Sequence, residues 1–339
     1  MNLNPASHIN INVNSTTKSS DPAPQALSPF AIDIRKGLWA RPKKIPSKYF
    51  YDEIGSKLFQ DIMNLDEYYL TDCEYEVLDL NKSQILDHCQ RTGGFDIIEL
   101  GAGDGYKTKV LLRHFLEAGA DFTYRPVDIS TEAIDGLVNT LQQEIPDLQV
   151  NAIVDDYFQA LNNLKAEDAK RTRVVLFLGS NVGNLKFVEV VNFLEKLKAG
   201  MKQGDLLLTG FDLRKDPDMI LAAYNDSKGV TAQFNLNLLN RMNRELGAEF
   251  DLSTFKHYPF YDAINGEARS CLVSKVKQSV YIAALDDTVD FEVAEIIKTE
   301  VSRKYFPGQV EALASRTGFS TVAHLFDAKK HFLDALWSA

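Results

Sequence analysis

Cysteine is scarce in this 339-residue chain, with three residues, Cys73, Cys89 and Cys271, scattered and odd in number. That spacing suggests neither a disulfide framework nor a zinc site, and a reducing cytoplasm is the expected setting. Basic charge is also in short supply: 37 Lys and Arg face 47 Asp and Glu, for a net charge of -10. Such a chain repels phosphate backbones, so nucleic acid is not an expected partner. The short basic run Arg41 to Lys44 reads as a solvated face. No apolar run is long enough to span a bilayer, so no membrane partner is expected. The N-terminal "MNLNPASHININVNSTTKSSDPAPQ" lacks the basic start and apolar core of a secretory signal. Its Asn, Ser, Thr and Pro residues offer too little apolar surface to offset the entropy of ordering, so residues 1–28 read as a disordered tail. The six histidines (His8, His88, His114, His257, His324, His331) show no metal-ligand spacing, and no metal is expected.

What the chain does have is alternating periodicity. "DEIGSKLFQDIMN" carries Ile54, Leu58, Ile62 and Met63 at helical spacing, and "CEYEVLDLNKSQILDHC" reads as a second helix. "FDIIEL" then looks like a buried parallel strand. The helix "TKVLLRHFLEAG" follows, with Gly119 as its stop signal. "DFTYRPVDIS", "LQVNAIVDDY", "RVVLFLGSNVGNL" and "GDLLLTGFDL" read as further strands, with helices "TEAIDGLVNTLQQEI" and "FVEVVNFLEKLKAGM" among them. Strands alternating with helices predict a Rossmann-like α/β sheet. After Lys215 the alternation breaks into helical "PDMILAAYNDSKGVTAQFNLNLLNRMNRELG" and strand-like "SCLVSKVKQSVYIAAL", which predicts an inserted α+β unit.

The stretch "IIELGAGDGYKTKVLL" decides between three loops. A nucleoside-triphosphate loop aligned on Lys107 and Thr108 requires glycine where Tyr106 stands. A dinucleotide fingerprint starting at Gly101 and Gly103 meets the same Tyr106. What remains is E-x-G-x-G-x-G directly after a strand, with Glu99, Gly101, Gly103 and Gly105, which resembles motif I of class I methyltransferases that use S-adenosylmethionine (SAM). SAM carries no phosphate, so glycines there serve close backbone approach rather than an anion cradle. Asp128 ends the second strand and suits the ribose hydroxyls. Asp156 ends the third and suits the adenine amino group, with Tyr157 beside it to stack on the ring. Taken singly, an Asp at either place is as readily a helix cap or a turn residue.

Longer stretches carry a fuller resemblance. "YFYDEIGSKLFQDIMNLDEYYLTDCEYEVL", "LFLGSNVGNL", "AAYNDSKGVTAQFNLNLLNRMNRELGAEFD" and "KTEVSRKYF" resemble the ergothioneine-pathway L-histidine Nα-methyltransferases and their relatives acting on other amino acids. The likeness runs from about residue 30 to the end. It implies SAM-dependent methylation of the α-amino group of a free amino acid, in the histidine enzymes three times. It implies that Asn184 anchors the amino-acid end of the substrate and that Tyr224 binds its carboxylate. Tyr51 lies near the reacting amine, Tyr68 walls the pocket, and Glu300 with Ser302 grips the imidazole. Lys107 and Thr108 lie near the methionine end of SAM. Ser270 stands where the bacterial histidine enzymes lead one to expect a larger apolar residue, which opens room for another aromatic or modified amino acid such as tryptophan. A SAM-binding protein without catalysis is the alternative of another class. The expected organisation is a tail (1–28), an N-terminal part of the substrate domain (29–71), a SAM domain (72–214), a substrate-binding insertion (215–304) and a return to the SAM domain (305–339), acting as a monomer.

Overall fold

The computed structural model of the chain describes residues 27–90, 93–166 and 171–339, so all but the end of the expected N-terminal tail lies outside the described residues. Ser28 caps the first helix, α1 (Pro29–Leu38), by accepting from the Ala31 amide at 3.1 Å. A two-residue strand, β1 (Lys43–Lys44), precedes α2 (Glu53–Met63) and the long α3 (Tyr69–Cys89). The apolar stripe expected along α2 holds at Ile62, but Ile54 is exposed. Gly55 takes the buried place there, because any β-carbon would strike the Phe50 carbonyl.

The alternating part then follows in chain order: β2 (Phe95–Leu100), α4 (Thr108–Glu117), β3 (Phe122–Asp128), α5 (Thr131–Glu144), β4 (Ile153–Val154), α6 (Tyr157–Ala166), β5 (Thr172–Phe177), α7 (Phe187–Gly200) and β6 (Leu206–Asp212). The third strand is much shorter than its sequence suggests. "LQVNAIVDDY" supplies only Ile153–Val154 and one isolated bridge, Tyr124 with Val150, with Asn151 and Ala152, weak strand formers, between them. Gly119 stops α4 as expected: its φ is +70°, and Ala120 N–H reaches back to the Phe115 carbonyl.

The inserted part comprises α8 (Pro217–Ala222), α9 (Val230–Leu246), β7 (Phe255–Asp262), β8 (Glu267–Ser274), β9 (Gln278–Ile282), β10 (Asp287–Phe291) and β11 (Ile296–Arg303). The chain closes with α10 (Pro307–Arg316), β12 (Ser320–Phe326) and β13 (Phe332–Ser338). The large sheet has the order β12-β13-β6-β5-β2-β3-β4, with β13 antiparallel to both its neighbours and the other pairings parallel. Ile97, Tyr124, Val174, Leu208 and Leu336 face one layer with Leu78 of α3, Leu111 of α4 and Leu137 of α5. Ile98, Val127, Val175, Leu207 and Trp337 face the other with Leu161 of α6, Leu194 of α7 and Leu313 of α10. Both faces are covered, which is why β2 and β6 are buried at every position.

A second core joins residues from before the large sheet with residues of the inserted part between β6 and β12. Phe30, Ile34, Phe50 and Ile62 pack with Phe234, Leu238 and Met242 of α9 and with Leu272 and Ile297 of the smaller sheet. That sheet has the order β1-β11-β8-β7, and β1 runs parallel to β11 with Lys43 opposite Ile297. Among the described residues, no helix is long and apolar enough to cross a membrane.

Candidate active site

The glycine loop after β2 is built as a chain of left-handed turns. Gly101, Gly103 and Gly105 have φ of +73°, +57° and +66°, a region in which side chains with a β-carbon are strained. Space distinguishes them. A β-carbon on Gly101 would lie 2.5 Å from the Tyr157 hydroxyl, and one on Gly105 2.9 Å from Leu137, whereas Gly103 faces nothing within 4 Å. The Gly103 backbone therefore borders open space that a ligand can enter closely. Tyr157 lies across Gly101, with its hydroxyl pushed up to about 12 by burial and by the nearby Asp128 and Asp156.

The two aspartates behave partly as turn residues. Asp128 accepts from the Ser130 amide at 2.9 Å, and Asp156 caps α6 by accepting from the Phe158 amide at 3.0 Å. In each, the second carboxylate oxygen remains for another donor. Thr108 departs from expectation. It is fully buried, and its hydroxyl donates to Glu99 at 2.6 Å, so it has no surface to offer SAM and supports the loop from beneath. Tyr124 donates to the other Glu99 oxygen at 2.5 Å. Burial outweighs both bonds and lifts the Glu99 carboxyl to about 7. Lys107 stays at the site, paired with the buried Glu74. Glu74 also accepts twice from the Gly179 amide, at 2.7 and 2.9 Å, and so joins the loops after β2 and β5. Asp334 of β13 lies close by; both acids would meet a β-carbon on Gly210. Its oxygens accept no hydrogen bond among the described residues, and burial followed by the Glu74 charge raises its carboxyl well above the usual range.

Asn184 ends a single turn, residues 181–184, after β5. The turn is pinned at three points. Gly179 is held by Glu74, Ser180 (φ +53°) accepts from the Asp212 amide at 3.0 Å, and a β-carbon on Gly183 would meet the Arg303 carbonyl at 2.8 Å. Asn184 is thereby held between the end of β6 and the end of β11, half-buried.

On the insertion side, β11 pairs with β8 past an irregularity between Lys298 and Glu300, which puts Glu300 opposite Ser270. Ser270 is fully buried and donates to a Glu300 oxygen at 3.1 Å, so it orients that carboxyl rather than simply vacating volume. Burial raises the Glu300 carboxyl; Ser270 and Lys304 only partly offset that. The sequence reading missed Lys304, which continues the every-second-residue series of Glu300 and Ser302. Its fully buried ammonium donates to Tyr224 at 2.7 Å, to Ser302 at 2.9 Å and to Asp212 at 2.7 Å, one acceptor for each of its three N–H groups. Asp212 also accepts from Tyr69 at 2.8 Å and pairs with Lys215. Burial would raise Asp212, but the two lysines outweigh it and hold the carboxyl below its usual range.

Tyr51 joins the two sides. Half its surface is exposed, yet protein surrounds its hydroxyl; burial first, then the Glu300 charge and Tyr157, raise it above the ordinary tyrosine value. Tyr51 packs edge-on against Phe59 at 5.5 Å, and Phe59 against Tyr68 at 6.2 Å, which forms an aromatic wall. Asp52 fixes this segment: it accepts from the Gly55 amide and from Asn237 of α9, and pairs with Arg244. Tyr68 feels Tyr224, Tyr51 and Glu300 after burial itself, and is raised far above its ordinary value. The structure thus brings Tyr51, Tyr68, Tyr224, Ser270, Glu300 and Ser302 into one neighbourhood, with Tyr51 near Tyr157 on the glycine-loop side.

Comparison with known proteins agrees with this geometry. Residues 30–339 match the family described as histidine-specific methyltransferase, SAM-dependent. A histidine N-alpha-methyltransferase of Mycobacterium tuberculosis is 36% identical over 290 residues, covering 86% of this chain and 88% of that protein. The protein of the same name from Mycolicibacterium smegmatis is 36% identical over 88% of this chain and 91% of its own length. Ergothioneine biosynthesis protein 1 of Neurospora crassa is 30% identical over 83% of this chain but only 32% of its own, longer sequence. The chain belongs to the histidine-specific SAM-dependent methyltransferase family, and it is an enzyme whose methyl donor is SAM.

Proposed function

We propose that this enzyme methylates the α-amino nitrogen of free L-histidine, in three rounds, to the trimethylated betaine. The observation that carries the reading is the Lys304 ammonium. It donates to both Tyr224 and Ser302, and Ser302 also bonds to the Tyr224 oxygen, so the Tyr224 hydrogen is the one left for another acceptor. Beside them lies Glu300, oriented by Ser270 at the depth suited to an imidazole N–H. A carboxylate at one end and an imidazole at the other fit this donor and this acceptor. The two similar mycobacterial proteins bear the name of that reaction.

The same reading divides the chain into two sides. The segment 29–71 and the insertion 215–304 make the substrate side, and 72–214 with 305–339 make the SAM side. Gly101, Gly103, Lys107, Asp128, Asp156 and Tyr157 hold the cofactor, with Thr108 as a support. When bound, SAM supplies an electrophilic methyl group on a sulfonium sulfur. The residues of the chain supply orientation, which accounts for much of the rate in an in-line displacement. Asn184 and Tyr224 hold the α-carboxylate. Tyr51 lies between the two sides and passes the ammonium proton to water, leaving the amine neutral. Tyr51, Phe59 and Tyr68 present ring faces to the methylated, cationic nitrogen as it grows. The test is purified enzyme with SAM and each free amino acid in turn, read by mass spectrometry. Histidine gaining three methyls on its α-nitrogen is the expected result; silence on histidine with methylation of another amino acid would refute the substrate assignment.

A further inference from the structure

One cluster lies outside the candidate active site and takes no part in methyl transfer. Cys73 of α3 meets Asp327 and His331 of the turn between β12 and β13, and their ligand-type atoms all lie within 4.8 Å of one another. Cys73 and Asp327 are buried and His331 is half-buried, so the group is closed on its inner side and reached from its His331 edge. We propose that these three side chains form a binding site for a thiophilic divalent cation such as Zn2+, with water as the fourth ligand. Thiolate, imidazole and carboxylate together are the donor set such ions prefer, and three protein ligands leave one position open.

The simpler reading is that Asp327 only shapes the turn. It accepts from the Phe332 amide at 2.6 Å and from the Lys329 amide at 3.1 Å. Those bonds use one lone pair on each oxygen and fix the carboxylate's direction, as outer-shell partners do for metal-ligating carboxylates. They do not explain why a thiol and an imidazole from separate parts of the chain converge on it. Coordination takes the Cys73 side chain as thiolate, so each ion bound releases the thiol proton to solvent as the sulfur–metal bond forms. The site also lies at a junction. On α3, Tyr69 holds Asp212 and Glu74 holds the Gly179 amide, so an ion at Cys73 braces the helix between the two sides of the active site.

The test is a Co2+ titration of the full chain at mildly alkaline pH, read by absorption. The expected result is a saturable thiolate-to-cobalt charge-transfer band at one ion per chain, abolished by added Zn2+. Cys73→Ser removes the band and Cys271→Ser retains it. If Cys73→Ser does not fold, His331→Ala serves in its place and weakens Co2+ binding by about tenfold or more. No saturable band at millimolar Co2+, a band that survives Cys73→Ser, or unchanged affinity in His331→Ala would each overturn the proposal.

Discussion

Two buried groups of acids and lysines flank the loop after β5, and their charges are unbalanced in opposite directions. On the substrate side one carboxylate, Asp212, faces two ammoniums, Lys304 and Lys215. On the cofactor side two carboxyls, Glu74 and Asp334, face one ammonium, Lys107. A buried excess charge is costly unless something answers it. The fold answers the excess acid internally by keeping a proton on Asp334. The excess of positive charge is answered in part by the Glu300 carboxyl near Lys304 and by burial, which lowers Lys215; the α-carboxylate of the proposed substrate is a further anion that would fit it. The first group is therefore poised for a ligand, whereas the second is a finished brace that locks Gly179 and Lys107.

Lys304→Met should unbalance the substrate side most. It removes three hydrogen bonds at once, and breaking such a buried pair costs about 3–5 kcal/mol of stability. The expected kinetic loss is about a hundredfold in kcat/KM for the amino acid, equivalent to about 2.7 kcal/mol. SAM affinity by calorimetry should hold; if SAM binding falls as far as turnover, the two sides are not separable as described. Asn184→Ala should raise the amino-acid KM about tenfold or more, with little change in thermal unfolding, as expected for a hydrogen bond to a charged group. An unchanged KM would remove Asn184 from the site.

The acids predict pH behaviour. Glu99 is near 7 when folded and near the ordinary 4.5 when unfolded, so the native state binds its proton more tightly. That preference is fully present below pH 4.5 and is lost as pH rises through 7, a change on the order of 3 kcal/mol. Glu99→Gln should flatten stability across that window, which denaturation at several pH values would read. Glu300 is raised as well, so the KM for histidine should fall as pH rises and Glu300 ionises, while Glu300→Gln should show a flat profile. The smallest effect belongs to Asp334→Asn. An amide replaces a carboxyl that is neutral in the folded state, so stability should change by less than about 1 kcal/mol only at acid pH, below the ordinary carboxyl value of 3.8 where the unfolded chain is protonated too. At higher pH the variant should be the more stable protein, because it has no proton to lose. A large loss at neutral pH would mean that Asp334 is ionised and the brace misread.

The two sides also differ in how far the sequence reveals them. The glycine loop is local: three glycines at spacing two, directly after an apolar run, state both the turn and its open side. The substrate side is assembled from residues far apart, and a resemblance brought most of them forward. The bland readings of Asp128 and Asp156 proved true as local structure, since each caps or turns the chain while keeping an oxygen free. Thr108 went the other way, because nothing in the string shows that Glu99 buries it. Phe59 gave no signal as part of the wall, being one aromatic among many. Lys304 did give one, two residues beyond Ser302, but a lysine at the end of a strand ordinarily suggests a solvated tip. Only the convergence of Asp212, Tyr224 and Ser302 makes its burial tolerable, and that convergence is tertiary.

The pairing of β1 with β11 bears on how the molecule is made. Lys43 is made before the strands β2 to β6, and its partner, Ile297, after them. The wall carrying Tyr51 and Tyr68 must therefore wait for its sheet while β2 to β10 are produced. The large sheet waits as well, since β13, made after β12, inserts between β6 and β12. Both halves close at nearly the same moment, and contacts so distant along the chain are slow to form. A nascent chain stopped short of β11 would hold the glycine loop and lack the chamber, so it could not methylate while still being built.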